Sequence, residues 1–178
     1  MKMRILPGLL TISLFLMTGC KDLLDVEERF TFQYTFSVNT DEHSFSDSRV
    51  IDLAANVSII DEYGSKIKEV KIEQVKFWLT AFSGPDSQQI ESGSLRVSET
   101  DGSNLQLIAE LSDLQLQALL NTPHELTIRD AGVQLLGDLA ADPPHRFQLH
   151  GDMEINEGPL AFTAVFEFTA KMVANPLN

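Results

Sequence analysis

Residues 160–172 read Leu-Ala-Phe-Thr-Ala-Val-Phe-Glu-Phe-Thr-Ala-Lys-Met, and this stretch decides the fold class. Leu160, Phe162, Ala164, Phe166, Phe168, Ala170 and Met172 alternate with Thr163, Glu167, Thr169 and Lys171. In an extended chain successive side chains point to opposite faces, so a period of two marks a strand with one face buried. Here the buried face is aromatic, and it needs a second layer to cover it.

The same pattern recurs upstream. Phe147, Leu149, Met153 and Ile155 alternate with Gln148, His150, Asp152 and Glu154, and the loop Asn156-Glu157-Gly158-Pro159 joins this strand to the last one. A four-residue loop between two alternating strands predicts a C-terminal hairpin. Near the other terminus Phe30, Phe32, Tyr34, Phe36 and Val38 alternate with Thr31, Gln33, Thr35 and Ser37, a further half-buried strand over 29–38.

Ile67 to Phe82 is also extended, with a fault. Val70 and Ile72 occupy even positions, whereas Val75, Phe77, Leu79 and Ala81 occupy odd ones. A one-residue bulge near Glu73-Gln74 restores a single inward face. The alternative is a strand covered on both sides, with Trp78 and Phe82 on the second face. Ser83-Gly84-Pro85-Asp86-Ser87 is turn chemistry. Strands follow around Ile90 to Val97 and from Leu105 to Leu111, separated by Asp101-Gly102, and they read as an antiparallel meander.

The connections are less regular. Asn39 to Asp47 is polar and reads as a loop. Ser48 to Leu53 suits a short strand, and Asn56 suits the cap of a short helix that Gly64 ends. Asp113 to Asn121 is Leu-rich and fits either a short helix capped by Asp113 or a continued strand. Leu126–Ile128 fits an edge segment. Asp130 to Ala140 is helical, with Ala131, Leu135, Leu136 and Leu139 on one side, and Asp142-Pro143-Pro144 stops it. Many short strands with one or two helical connections predict a mainly β protein. Its expected architecture is an antiparallel β-sandwich, immunoglobulin-like or related.

The first twenty residues carry a different message. Lys2 and Arg4 precede thirteen uncharged residues, Ile5–Met17, and then Thr18-Gly19-Cys20. This apolar run is too short to cross a hydrocarbon layer about 30 Å thick as a helix, and it has the layout of a secretory leader. Leu16-Met17-Thr18-Gly19-Cys20 resembles the lipobox of bacterial lipoproteins, with Met17 where Leu is commonest. The resemblance implies cleavage before Cys20 and lipidation of its thiol. Two or three acyl chains then hold the protein on a membrane, since each buried CH₂ contributes about 0.8 kcal/mol.

Lys21, in place of Asp, follows the Cys, and under the enterobacterial sorting rule this implies the outer membrane. Lys21-Asp22 with Asp25, Glu27 and Glu28 is loosely similar to the export signal of Bacteroidota surface lipoproteins, with Leu23 and Leu24 interrupting it. Both the periplasmic and the cell-surface face stay open. The organisation expected is a signal peptide over 1–19, a lipidated acidic tether over 20–28 and one β-sandwich domain over 29–178. The strand pattern loosely resembles exported β-sandwich lipoproteins of Bacteroidota.

Composition limits the partners. Lys2 and Arg4 leave with the leader, so 11 of the 13 basic residues face 26 acidic ones, a mature charge near −15. Such a chain repels phosphate backbones, and no nucleic-acid partner is expected. Cys20 is the one cysteine, which removes disulfides and thiolate metal sites.

No nucleophile elbow, phosphate loop or dinucleotide fingerprint occurs, and neither cofactor nor catalysis is expected. The polar run 39–47 around His43 lacks the spacing of a calcium loop. His145 and His150 fall on opposite faces by parity. With 26 acidic residues, some carboxylate pair at a glycosidase separation is inevitable and therefore uninformative.

Among the aromatics, Trp78, with Tyr34 and Tyr63, has the chemistry to stack a sugar or an apolar ligand. Against this, aromatics in strands usually belong to cores. The expected function is therefore a lipid-anchored outer-membrane lipoprotein presenting a β-sandwich interaction or structural module. It would meet an envelope protein or glycan. The alternatives are a carbohydrate- or lipid-binding accessory protein acting through Trp78, and a pilus-type subunit with 160–172 as its donor strand.

Overall fold

The structure, a computed structural model, describes residues 25–177. The expected signal peptide and lipobox, with Cys20, lie outside the described residues. The alternating segments form strands as expected and run longer than the alternation alone suggests. β1 is Val26–Thr40, β2 Ser44–Asp52, β3 Ile67–Phe82, β4 Gln89–Ser98, β5 Gln106–Leu111, β6 Leu114–Gln115, β7 His124–Glu125, β8 Arg146–Ile155 and β9 Leu160–Ala174. β1 starts at Val26, so the last three residues of the acidic tether are already sheet. Most of the polar 39–47 segment is strand as well, since β2 begins at Ser44.

Two sheets form, in the orders β1-β9-β3-β7 and β2-β8-β4-β5, with β6 extending the second along β4. All strand pairs are antiparallel. This is the β-sandwich expected. Its strand order, in which the chain repeatedly crosses from one sheet to the other, is that of a jelly roll.

The order corrects two local expectations. β8 and β9 are not a hairpin: β9 pairs with β1 and β3, while β8 pairs with β2 and β4. The loop 156–159 is an arch between sheets, because the inward faces of both strands need burying and facing each other across the sandwich achieves it. The meander likewise reduces to β4–β5, since β3 belongs to the first sheet. β9 is the central strand of its sheet, paired on both edges, so donating 160–172 to another subunit would break two ladders.

The core is the sum of the two inner faces. Phe32 stacks on Phe168 at 4.6 Å, and Phe77 meets Phe166 at 4.8 Å. The sheets are joined by Phe36 against Phe45 at 5.0 Å and by Phe32 against Phe147 at 5.9 Å.

The parity fault in β3 is a bulge. Its pairing with β9 slips at the start of the strand, between Ile67 and Glu69, and then between Ile72 and Gln74 and between Leu79 and Ala81. The slip at Glu73 turns Val75, Phe77 and Leu79 inward, and the one at Thr80 leaves Ala81 exposed and returns Phe82 to the core side. Trp78 alone stays on the outer face. There it pairs with Val165, which is buried although it points away from the core.

Two short helices, α1 (Leu53–Asn56) and α2 (Ser58–Tyr63), follow β2. Asp52 caps α1, its side chain accepting from Ala55 N, whereas α2, which Gly64 ends as expected, has Val57 and not Asn56 at its cap and no side-chain cap bond. Asp113 caps no helix: the segment after β5 continues as β6 and then one 3-10 turn at Gln117–Leu119.

α3 is Asp130–Ala141 and closes one side of the sandwich. Its buried residues are Gly132, Leu136, Gly137, Ala140 and Ala141, whereas Ala131 is exposed and Leu135 and Leu139 are half-buried. The expected Leu face is thus displaced toward the small residues. The helix crosses strand edges so closely that a Cβ on Gly132 would meet the backbone of Leu107 and Ile108, and one on Gly137 the carbonyl of Val70. His145, at φ 59°, ties the helix to the sheets: its Nδ1 donates to Ala140 O at 2.9 Å, and its own carbonyl accepts from Leu53 N.

The arch 156–159 is held by Gln88. This fully buried side chain donates from Nε2 to Glu157 O and Pro159 O, both at 2.8 Å, while its Oε1 has no partner. Asn156 adds bonds to Gln89 N and Ser87 O. Gln88→Leu would orphan two carbonyls and relieve one unpaired oxygen. A net loss of about 1–2 kcal/mol is expected, since a buried unsatisfied group costs about 1–3 kcal/mol, and chemical denaturation checks it.

Candidate functional site

A hollow of about 870 Å³ lies on the outer face of the second sheet. Its floor follows from the register. Outward positions of β2, β8 and β4 fall in rungs: Ser44–Glu154–Ser92, then Ser46–Asp152–Ser94, then Ser48–His150–Arg96. β5 adds Glu110 beside Ser94 and Leu107 beside Arg96. Each carboxylate of β8 thus stands between two serines.

The rungs are hydrogen-bonded across strands. Asp152 accepts from Ser46 Oγ at 2.8 Å, from Ser94 Oγ at 3.3 Å and from the Arg96 guanidinium at 3.1 Å. Ser92 Oγ donates to Glu154 at 3.1 Å. Both partners of the Arg96–Asp152 pair are 41% exposed. Exposed ion pairs are worth little, about 0–1 kcal/mol, so the pair fixes side-chain positions more than it stabilises the fold.

Glu42 and Leu105 border the groove, and Leu105 is 48% exposed. Phe45 and Met153 lie beneath it, and Phe45 is turned inward onto Phe36. At the inner end of the face His150 Nε2 lies 2.9 Å from Ser98 Oγ. Ser98 is fully buried and also donates to Glu99 O, so it presents no nucleophile.

A smaller hollow of about 460 Å³ separates the free edges of β1 and β2. Tyr34 OH bridges it to Asp47 at 2.7 Å, and Arg49 donates to Thr35 O at 3.2 Å. Burial first, and then the bond to Asp47, hold the Tyr34 phenol well above its ordinary value.

The residues singled out from the sequence do not meet here. Trp78 is on the opposite sheet, half-buried against Val165, and lines neither hollow. Tyr34 belongs to the core, and Tyr63 is half-buried at the end of α2. His43 is exposed in the β1–β2 connection, His124 is exposed on β7, and His145 is buried at the end of α3. Among the described residues no group of three His, Cys, Asp or Glu side chains is placed to hold a metal ion. The sequence alone does not single out these groove residues: Ser44 and Ser46 fall in the polar 39–47 segment that reads as a loop, and Ser92 and Ser94 carry no motif. The available signal was the every-second-residue serine pattern on β2 and β4.

No family model matches the chain, and no curated protein does. Among solved structures, the decameric BFDV capsid protein is similar over 83% of this chain and 98% of that one, with 9% identity and a TM-score of 0.40. A Desmodium yellow mottle tymovirus structure is similar over 97% of this chain and 95% of that one, with 10% identity and a TM-score of 0.34. Likeness of this degree carries no statement about activity, partner or assembly.

Proposed function

We propose that the protein is a lipid-anchored outer-membrane lipoprotein whose jelly-roll sandwich is a non-catalytic interaction module, displaying the groove of its second sheet. The observation that carries this reading is the polarity of the sandwich. β1 begins at Val26, six residues after Cys20, a separation of at most about 20 Å when extended. β1 then runs about 45 Å at the usual strand rise of about 3.3 Å per residue. The Ser44–Glu154–Ser92 rung lies beside the β1–β2 connection, at the end opposite the start of β1. A surface meant for partners belongs at that far end. Among the described residues no helix is long and apolar enough to cross a membrane, and on this reading the acyl chains on Cys20 supply the attachment.

The test is metabolic labelling with a fatty acid in cells making the native chain or Cys20→Ser. Label on the native chain, none on the variant, and loss of the variant from the outer-membrane fraction are expected. A native chain that emerges unlabelled and soluble would overturn the reading.

A further inference from the structure

We propose that the groove on the outer face of the second sheet binds a neutral glycan chain, an inference that rests on the sandwich being a presented binding module. The volume of about 870 Å³ falls within the usual range of ligand sites, about 300–1,000 Å³. The chemistry of the floor selects the ligand. Serine hydroxyls both donate and accept, carboxylates only accept, and a guanidinium only donates. A sugar hydroxyl does both. It can give its proton to Asp152, Glu154 or the lone pairs of Ser46 and Ser94, whose own protons go to Asp152, while accepting from the N–H groups of Arg96 that Asp152 does not take. The floor groups already hold one another through the cross-strand rungs, so little ordering is left to binding.

Charge argues against the competing ligands. Glu42, Asp152 and Glu154 repel an anionic chain, in a molecule with a mature charge near −15. A Lys- or Arg-bearing peptide would set its cations against the Arg96 guanidinium, which already takes up the Asp152 carboxylate. Leu105 and Leu107 form one apolar wall, suited to the C–H face of a sugar ring. Phe45, the one aromatic residue lining the groove, is stacked on Phe36 beneath the floor, so affinity rests on hydrogen bonds and is modest. Trp78, on the other sheet, takes no part, and its fluorescence is not the readout.

The experiment uses the mature chain carrying Cys20→Ser, which separates this test from that of the anchor. Isothermal calorimetry is run against neutral hexaoses of glucose, mannose and galactose, against polygalacturonate, and against a mixed Lys/Arg decapeptide. Saturable binding of at least one neutral hexaose is expected, with polygalacturonate and the peptide inert. Asp152→Ala and Arg96→Ala should each weaken it about tenfold or more, as loss of a charged hydrogen-bond partner does, while Trp78→Ala leaves it unchanged. If Asp152→Ala fails to fold, Leu105→Asp on the exposed rim serves in its place and should weaken binding likewise. Silence toward all neutral hexaoses, binding of polygalacturonate or the peptide alone, or indifference to Asp152, Arg96 and Leu105 would each overturn the proposal. None of these outcomes bears on lipidation.

Discussion

Phe166→Ala is expected to cost about 3–5 kcal/mol, the range for emptying a fully buried aromatic site. Phe166 lies at the middle of the central strand and has no exposure. Its ring meets Phe77 at 4.8 Å on one neighbouring strand, and Tyr34 and Phe36 at 6.2 and 6.0 Å on the other. Truncation would remove ring contacts to both flanking strands at once, and the β-sheet backbone around the site cannot collapse to refill it. Against a typical domain stability of about 5–15 kcal/mol, that loss brings the protein near its limit. Urea unfolding followed by circular dichroism measures it, with Thr169→Ala on the outer face of the same strand as the control, expected within about 0.5 kcal/mol of the native chain. If Phe166→Ala came out as mild as Thr169→Ala, the even face of β9 would not be the core face.

That face was legible because alternation is a local property. Which side of a strand is apolar can be read from the strand itself, and β1, β8 and β9 were read that way. Alternation does not say which strand lies beside which. The loop Asn156–Pro159 can close a hairpin or arch between sheets, and the difference is made by residues far away in sequence, among them Gln88, whose amide holds two of the loop's carbonyls. The same limit hid the last bulge in β3. The slip at Glu73 changes the parity of three aliphatic or aromatic residues and is visible. The slip at Thr80 leaves Ala81, expected inside, exposed and turns Phe82 inward, and it emerges only from the pairing with β9.

The groove was still less legible. A rung such as Ser46–Asp152–Ser94 needs three strands in register, two of them about a hundred residues apart. Each member alone is an ordinary outward polar residue. Trp78 stands out by its chemistry, yet it is half-buried on the other sheet, opposite Val165. A rare side chain is thus a weaker guide to a binding face than common ones repeated at spacing two on neighbouring strands.

The glycines of α3 carry the second large expectation. In an exposed helix, Gly→Ala stabilises by about 1 kcal/mol. At Gly132 and Gly137 the sign should reverse. A methyl group at Gly132 would overlap the Leu107 carbonyl, and one at Gly137 the Val70 carbonyl. Both obstacles are backbone on strands, so neither can swing aside as a side-chain end would. The helix must lift away from β5 or β3, uncovering Leu136 and Ala140, both without exposure in the native fold. Overpacking of this kind costs about 1–3 kcal/mol per site, and the double variant Gly132→Ala/Gly137→Ala is expected to lose about 2–6 kcal/mol if the two add. The informative comparison is Ala131→Gly, one residue from Gly132 but exposed, where propensity alone predicts a loss of about 1 kcal/mol. Denaturation midpoints for the four proteins decide it. Stabilisation by Gly132→Ala or Gly137→Ala would show that α3 stands clear of the strand edges, and the side of the sandwich it covers would then be open to solvent.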